Sequence, residues 1–529
     1  MRGTARILRA MRRRIAILLV AMLAGACGNS PSGATGEGSA RILVGSPTTL
    51  DPAVVGDAQS GALIDQFFES LTTLDPALQL RPALAESWRV EAAGERIVFQ
   101  LRPNLRFSDG TPLRATDVVR SWLRVIDPDR PSPLATLLLD VRGAREYLAG
   151  QSDAGTVGLA ADDGANQVTV DLLRPATDFP TIVTGSTFGV VPPGIDESVG
   201  VRAGDAFVGS GGYRPISADS TTMVLAANPD YWAGRPALSN LTLVTELGGR
   251  SPVQVFQDGD LDYASVAPED ASWIAYDPTL GPQLRATPSL STDYYGFDVD
   301  TPPFDDVRVR QAFGAAVDWR RIATLAVPEA DMVATSMVPP GIPGRSERDV
   351  RPRHDPEAAR ALLAEAGYPG GRGFPEVTLA TGGNSYDAAV VQELQRELGV
   401  TVSSEVMDFD AYFDQLETDP PAMWFLSWVA DYPGRNDFLG VLLATGASNN
   451  YGHWSSTEFD AAIREAGEST DKADASAAYD RAEDVVQRDV PVIPMSYGAG
   501  WALSRDGLLG AAENGLGGLR LAGLAWGSR

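Results

Sequence analysis

The chain is poor in the residues that carry most covalent and metal chemistry. Its 529 residues include one cysteine, Cys27, and two histidines, His354 and His453. One cysteine excludes an intrachain disulfide, and a chain of this length can bury enough apolar surface to do without one. There is no His-Glu-x-x-His, no metal-spaced Cys/His set, no phosphate-cradling Gly-rich loop ending in Lys-Ser/Thr and no Gly-x-Ser-x-Gly elbow. Paired acids such as Asp305-Asp306 read as helix caps. Asp298-Val-Asp300 lacks the glycine and the closing glutamate of a calcium loop. No catalytic residue, metal site or cofactor is expected.

Lysine is scarcer still: Lys472 is the only one, so the 43 basic residues are almost all arginine. This reads as coding bias, not mechanism. Acidic residues number 69, for a net charge of −26. Six arginines lie in residues 1–26, and without them 37 basic residues face 69 acidic ones, a net −32. Nucleic acid and an anionic membrane surface both require a basic face, so neither is an expected partner. The balance reads as a solvated acidic surface.

Long apolar runs are missing as well. Ile15 to Ala24 is a run of ten apolar residues, half of the about 20 a spanning helix needs. It follows Arg6, Arg9 and Arg12 to Arg14, which is the layout of a signal peptide over residues 1–26. Met11-Arg-Arg-Arg is also a good start for such a leader. Leu23-Ala-Gly-Ala-Cys27 resembles a lipobox, with Ala24 where the leucine more often stands, so Cys27 is the expected lipidated first residue of the mature chain. An ordinary secretory signal with an incidental cysteine is the alternative. Residues 27–40 then form the lipidated cysteine and a Gly/Ser/Thr-rich flexible tether.

The body alternates helix and strand signals, as an α/β protein does. Asp355 is an N-cap, Pro356 fits the first helical position, and Ala359, Leu362, Leu363 and Ala366 share a face before Gly367 stops the helix. Val377 and Leu379 alternate as a strand, Tyr386 to Leu398 is a second helix, and Val400 and Val402 begin another strand. Asp306 to Leu325 reads as one helix and residues 473–488 as a further one. Met423 to Val429 suits a buried strand, turned by Asp431-Tyr-Pro-Gly. Ligands of open α/β sheets sit where a strand ends in a loop.

A set of motifs follows in a consistent order. They are Ala83-Leu-Ala-Glu-Ser-Trp88, Phe107-Ser-Asp-Gly-Thr-Pro112 with Thr116-Asp-Val-Val119, Pro302-Pro-Phe-Asp-Asp-Val-Arg-Val-Arg-Gln-Ala312, and Ser427-Trp-Val-Ala-Asp-Tyr-Pro433 with Asp437-Phe-Leu439. Over about residues 41–501 the chain resembles the family-5, dipeptide/oligopeptide-binding group of extracytoplasmic solute-binding proteins of ABC importers. Gly209-Ser-Gly-Gly-Tyr213 is similar to a further element of that family, with Gly212 in place of the usual proline.

The resemblance implies a two-lobed periplasmic-binding-protein-like fold with a hinge and an extra domain inserted in the first lobe. Lobe one maps to residues 40–62, 205–292 and 497–529, the inserted domain to 63–204, and lobe two to 293–496. It also implies that the aspartate of Trp428-Val-Ala-Asp431 grips a ligand's α-ammonium; a capping aspartate before Pro433 is the other reading. Trp428 is either core or a pocket wall. Main-chain groups of Trp428, Val429 and Ala430 could pair with an extended peptide, and Ser46 and Thr48 in the first loop are candidate contacts. The implied function is capture of a peptide and delivery to membrane permease subunits by a monomeric, lipid-anchored, extracytoplasmic protein. Nickel chelate, haem or oligosaccharide as solute, or a regulatory lipoprotein of the same fold, are the alternatives.

Overall fold

The computed structural model describes residues 38–194, 207–326, 332–384, 386–469 and 471–527. The leader, Cys27 and nearly all of the tether lie outside the described residues. One ten-stranded sheet runs through most of the molecule. At one end, Ser39–Leu43 pairs in parallel with Asn240–Val244 and Tyr263–Ser265, and Thr222–Ala227 and Tyr213–Ala218 extend it antiparallel. At the other end, Val402–Val406, Val377–Thr381 and Met423–Val429 lie side by side in parallel.

Two long antiparallel strands, Leu284–Phe297 and Val492–Ser504, join the ends. The first pairs along Ser291 to Phe297 with Met423–Val429; the second pairs at Ala502 to Ser504 with Tyr263–Ser265. Their mutual ladder breaks between Pro288 and Thr292, opposite Gly498. A Cβ on Gly498 would run into Ser291 Oγ, so a larger residue there would require the serine hydroxyl to rotate away from the crossing. An irregular ladder between two lobes is where a bend costs fewest hydrogen bonds.

The hinge strand also builds lobe two by simple alternation. Tyr295 and Phe297 point into a core with Phe313, Leu363 and Leu394, while Tyr294 points into another with Trp424, Phe438 and Val485. The sheet is thus covered by helices on both faces. The first lobe has its own core of Ile42, Ile64, Phe67 and Leu241. The helix Ala58–Phe67 runs straight through the expected 62/63 boundary, and Leu63, Ile64 and Phe67 pack in that first-lobe core. A separate core surrounds Trp122, with Phe99, Phe179 and Phe188, against a four-stranded antiparallel sheet of Ala85–Glu91, Arg96–Leu101, Gln167–Asp171 and Leu159–Asp162.

Local signals set most boundaries. Asp355 accepts from the Ala358 amide at 3.0 Å and caps Pro356–Glu365, and Gly399 at φ +71° ends Asp387–Leu398. The expected single helix from Asp306 to Leu325 is two, Val307–Ala316 and Trp319–Ala326. Val317 is extended, and Asp318 accepts from the Arg321 amide at 3.0 Å, restarting the helix as a cap does. Gly212, in place of the family's usual proline, faces Ala522: a Cβ there would lie 2.7 Å from the alanine methyl.

Candidate functional site

Between the lobes lies a cavity of about 320 Å3. Its first wall is the helix Ala58–Phe67 with the loop before it and the segment after it, from Val55 to Leu74. The stretch Thr184 to Thr187 and the C-terminal segment Asn514 to Arg520 complete that side. Val429 to Tyr432 of lobe two form the facing wall.

The facing wall is held by its own chemistry. Arg435 is buried under the loop, ion-paired to Asp480 and Glu483 at 2.7 Å each and donating to the Gly344 carbonyl at 2.9 Å. Asp437, fully buried, accepts from Trp428 Nε1 at 2.9 Å and from the Asp431 amide at 3.3 Å. Its second oxygen has no partner. Burial, and then the charge of Asp431, raises the Asp437 carboxyl well above its ordinary range. Asp431 itself opens into the cavity with no hydrogen bond or ion pair to its carboxylate. Desolvation pushes it up to about 6.

The strand leading to Asp431 sorts its main-chain groups by side. Trp428 stands opposite Thr292, and the Ala430 amide donates to the Leu290 carbonyl at 2.9 Å. In an antiparallel ladder these groups alternate, so Trp428 and Ala430 commit theirs to the hinge strand. Val429 turns its amide and carbonyl to the other edge. That edge is open past Trp424, since Val377–Thr381 pairs only with Met423 and Trp424.

On the first wall, Glu69 is buried and saturated: it pairs with Arg520 and accepts from Tyr231 Oη at 3.0 Å and Trp232 Nε1 at 2.8 Å. Arg520 also donates to Thr73 Oγ1. Asp57 caps the helix, accepting from the Ser60 amide at 2.8 Å and from Thr48 Oγ1 at 2.7 Å. These bonds outweigh desolvation and hold it below its usual range. Asp65, two turns on, makes no hydrogen bond or ion pair, and desolvation, partly offset by Arg520, pushes it up to about 7.

Of the residues singled out in the sequence, Val429, Ala430 and Asp431 line the cavity together. Trp428 is half-buried behind them against the lobe-two core. Ser46 and Thr48 are not among the lining residues. Ser46 Oγ donates to the Thr245 carbonyl at 3.4 Å, and Thr48 supports Asp57. Asp65, Glu69 and Arg520 escaped the sequence reading. The available signal was two acids inside the mainly apolar stretch Ala62 to Leu71, which also carries Gln66 and Ser70.

A model of the family "Bacterial extracellular solute-binding proteins, family 5 Middle" matches residues 79–450. The chain belongs to this family. It is a solute-binding protein and not an enzyme. Among curated relatives, it is 29% identical to the probable deoxycholate-binding periplasmic protein YgiS of Escherichia coli, over 85% of this chain and 86% of that one. It is 27% identical to the periplasmic oligopeptide-binding protein OppA of Salmonella typhimurium, over 85% of each. Among solved structures, the family-5 chain shares its fold with the murein tripeptide binding protein MppA of Escherichia coli at a TM-score of 0.77 and 24% identity, covering 93% of this chain and 99% of that one. The clavulanic acid biosynthesis oligopeptide binding protein 2 superposes with a TM-score of 0.82 at 23% identity, over 93% and 96%. These neighbours carry the two-lobed periplasmic-binding-protein architecture. No helix among the described residues is long and apolar enough to cross a membrane.

Proposed function

We propose that this family-5 protein captures peptides with a free amino terminus and hands them to the permease of an ABC importer. A lipid on Cys27 would tether it outside the cytoplasm. The observation that carries the peptide reading is the unpaired Asp431 carboxylate next to the open main-chain edge of Val429. An extended peptide can add to such an edge as a strand, and its ammonium then meets a carboxylate that has no other counter-ion. The ligand bridges both walls only when the lobes are closed, so binding shifts the population toward closure. An anionic solute such as a bile acid would bring its carboxylate toward four acidic side chains and one already paired arginine.

The test is a double-mutant cycle. Asp431→Asn keeps the shape and removes the charge; leaving a buried ammonium uncompensated costs about 3–5 kcal/mol, or roughly two to three and a half decades of affinity. N-acetylation of the peptide removes the partner charge and should cost wild type a similar amount. Calorimetry of the four pairings should find that the two changes together lose less than their sum. If Asp431→Asn binds free peptide within about threefold of wild type, Asp431 is a turn residue and this reading falls. The anchor is checked separately: Cys27→Ser should leave the membrane fraction, and a variant that stays there while still lacking residues 1–26 would refute lipidation.

A further inference from the structure

The charge inventory of the cavity goes beyond one ammonium. Its lining carries four carboxylates, Asp57, Asp65, Glu69 and Asp431, and one guanidinium, Arg520. Glu69 and Arg520 neutralise each other, with Tyr231, Trp232 and Thr73 completing their bonds. Asp57 is engaged as a helix cap by Ser60 and Thr48. Asp65 and Asp431 remain, one on each wall, and neither carboxylate makes a hydrogen bond or ion pair within the protein, although Arg520 acts on Asp65 from a distance. When the lobes close on a ligand, water leaves and each of these groups must find a counter-charge or lose its ionisation.

We propose that the preferred ligand is dicationic, a peptide that places its amino terminus on Asp431 and a lysine or arginine side chain on Asp65 across the cleft. This rests on the peptide reading above and adds a specificity determinant to it. The remaining lining fits such a side chain. Phe68, Leu74 and Leu516 offer apolar surface for its methylene stem, and Asp65 takes the charged end. A ligand with a single cation would fill Asp431 and leave Asp65 enclosed and unpaired. A ligand with an acidic side chain would meet Asp65 directly.

Lysine and norleucine have nearly the same shape and differ in charge, so Ala-Lys-Ala and Ala-norleucine-Ala isolate the effect. Calorimetry at pH 7.5 should find the lysine peptide bound about 10- to 100-fold more tightly, the range of one hydrogen bond to a charged group. Asp65→Asn should erase that preference by weakening Ala-Lys-Ala, while Ala-norleucine-Ala binds at least as tightly as to wild type because no unpaired charge is enclosed beside it. That retained affinity also shows that the variant folds. If wild type binds both peptides equally, the second cation site is refuted and peptide capture stands. If neither peptide binds but cadaverine does, and Asp65→Asn loses it, peptide capture is refuted and the two-cation site stands. If wild type binds none of the three, both are overturned.

Discussion

Glu69 and Asp437 are both buried acids, one beneath each wall of the cleft, and they are treated differently by their surroundings. Glu69 has a cation, a phenol and an indole, and its own charge is matched. Asp437 has an indole and one long amide contact, an oxygen with no partner, and a second aspartate beside it. The first arrangement is complete without ligand and serves as frame. The second is incomplete and lies directly behind Asp431, the carboxylate that opens into the cavity. The contrast separates an acid finished as frame from one left short of partners behind the proposed ligand contact.

The sharpest way to break this contrast is to remove Glu69. Glu69→Ala strands Arg520 without its counter-ion, together with two donors. Loss of one partner of a buried pair costs about 3–5 kcal/mol; Arg520 is 38% exposed, so the lower end applies. Denaturant unfolding of the empty protein should show a loss of about 3 kcal/mol. A loss under about 1 kcal/mol would mean that Glu69 is not frame.

A smaller effect follows from the carboxylates that lack a counter-ion. Asp431 is raised to about 6 and Asp65 to about 7, and Asp437 is also raised. Between the ordinary aspartate value near 3.8 and these raised values, the folded protein holds protons that the unfolded chain has released. Stability therefore falls as pH rises through that window. Carboxylates held low, such as Asp57 and Asp306, act with the opposite sign, but only below their ordinary value. The unfolding midpoint of the empty protein should thus be higher at pH 5 than at pH 7.5, and Asp437→Asn should shrink the difference. A cationic ligand favours the ionised forms, so its stabilising effect should be larger at pH 7.5. A midpoint that climbs from pH 5 to 7.5 in the empty protein would contradict the lack of counter-ions at these carboxylates.

How far the sequence could be read follows the same division. The strand Met423–Val429 and the loop holding Asp431 were legible, because strand, turn and aspartate are neighbours in the chain. The cap at Asp355 and the stop at Gly399 were legible for the same reason. The restart at Asp318 was not, because the apolar period of Val309, Phe313, Val317 and Ile322 continues through it while one cap bond interrupts the backbone. The ion pair of Glu69 with Arg520 joins residues 451 positions apart, and nothing local announces it. Asp65 was visible only as an acid in an apolar run, a pattern that becomes meaningful once the opposite wall is known.

The smallest expected effect concerns the first loop. Thr48 was a candidate for ligand contact, yet its hydroxyl donates to Asp57 Oδ2 and its amide to Ser60 Oγ. Both bonds serve the start of the helix that carries Asp65 into the cavity. Thr48→Val keeps the side-chain volume and removes, at an exposed position, a hydrogen bond to a charged acceptor and a 3.2 Å hydroxyl contact with Ser60 Oγ. Asp57 retains the Ser60 amide, so the cap persists. Solvent can replace the hydroxyl at this exposed position, so the cost should fall below the usual range for a bond to a charged group, at about 0.5–1 kcal/mol of stability. Peptide affinity should stay within about twofold of wild type, because Asp65 moves only if the cap is lost. A tenfold loss of affinity with unchanged stability would put Thr48 in contact with ligand. It would also extend the binding surface beyond Val55 to Asp57 into the first loop.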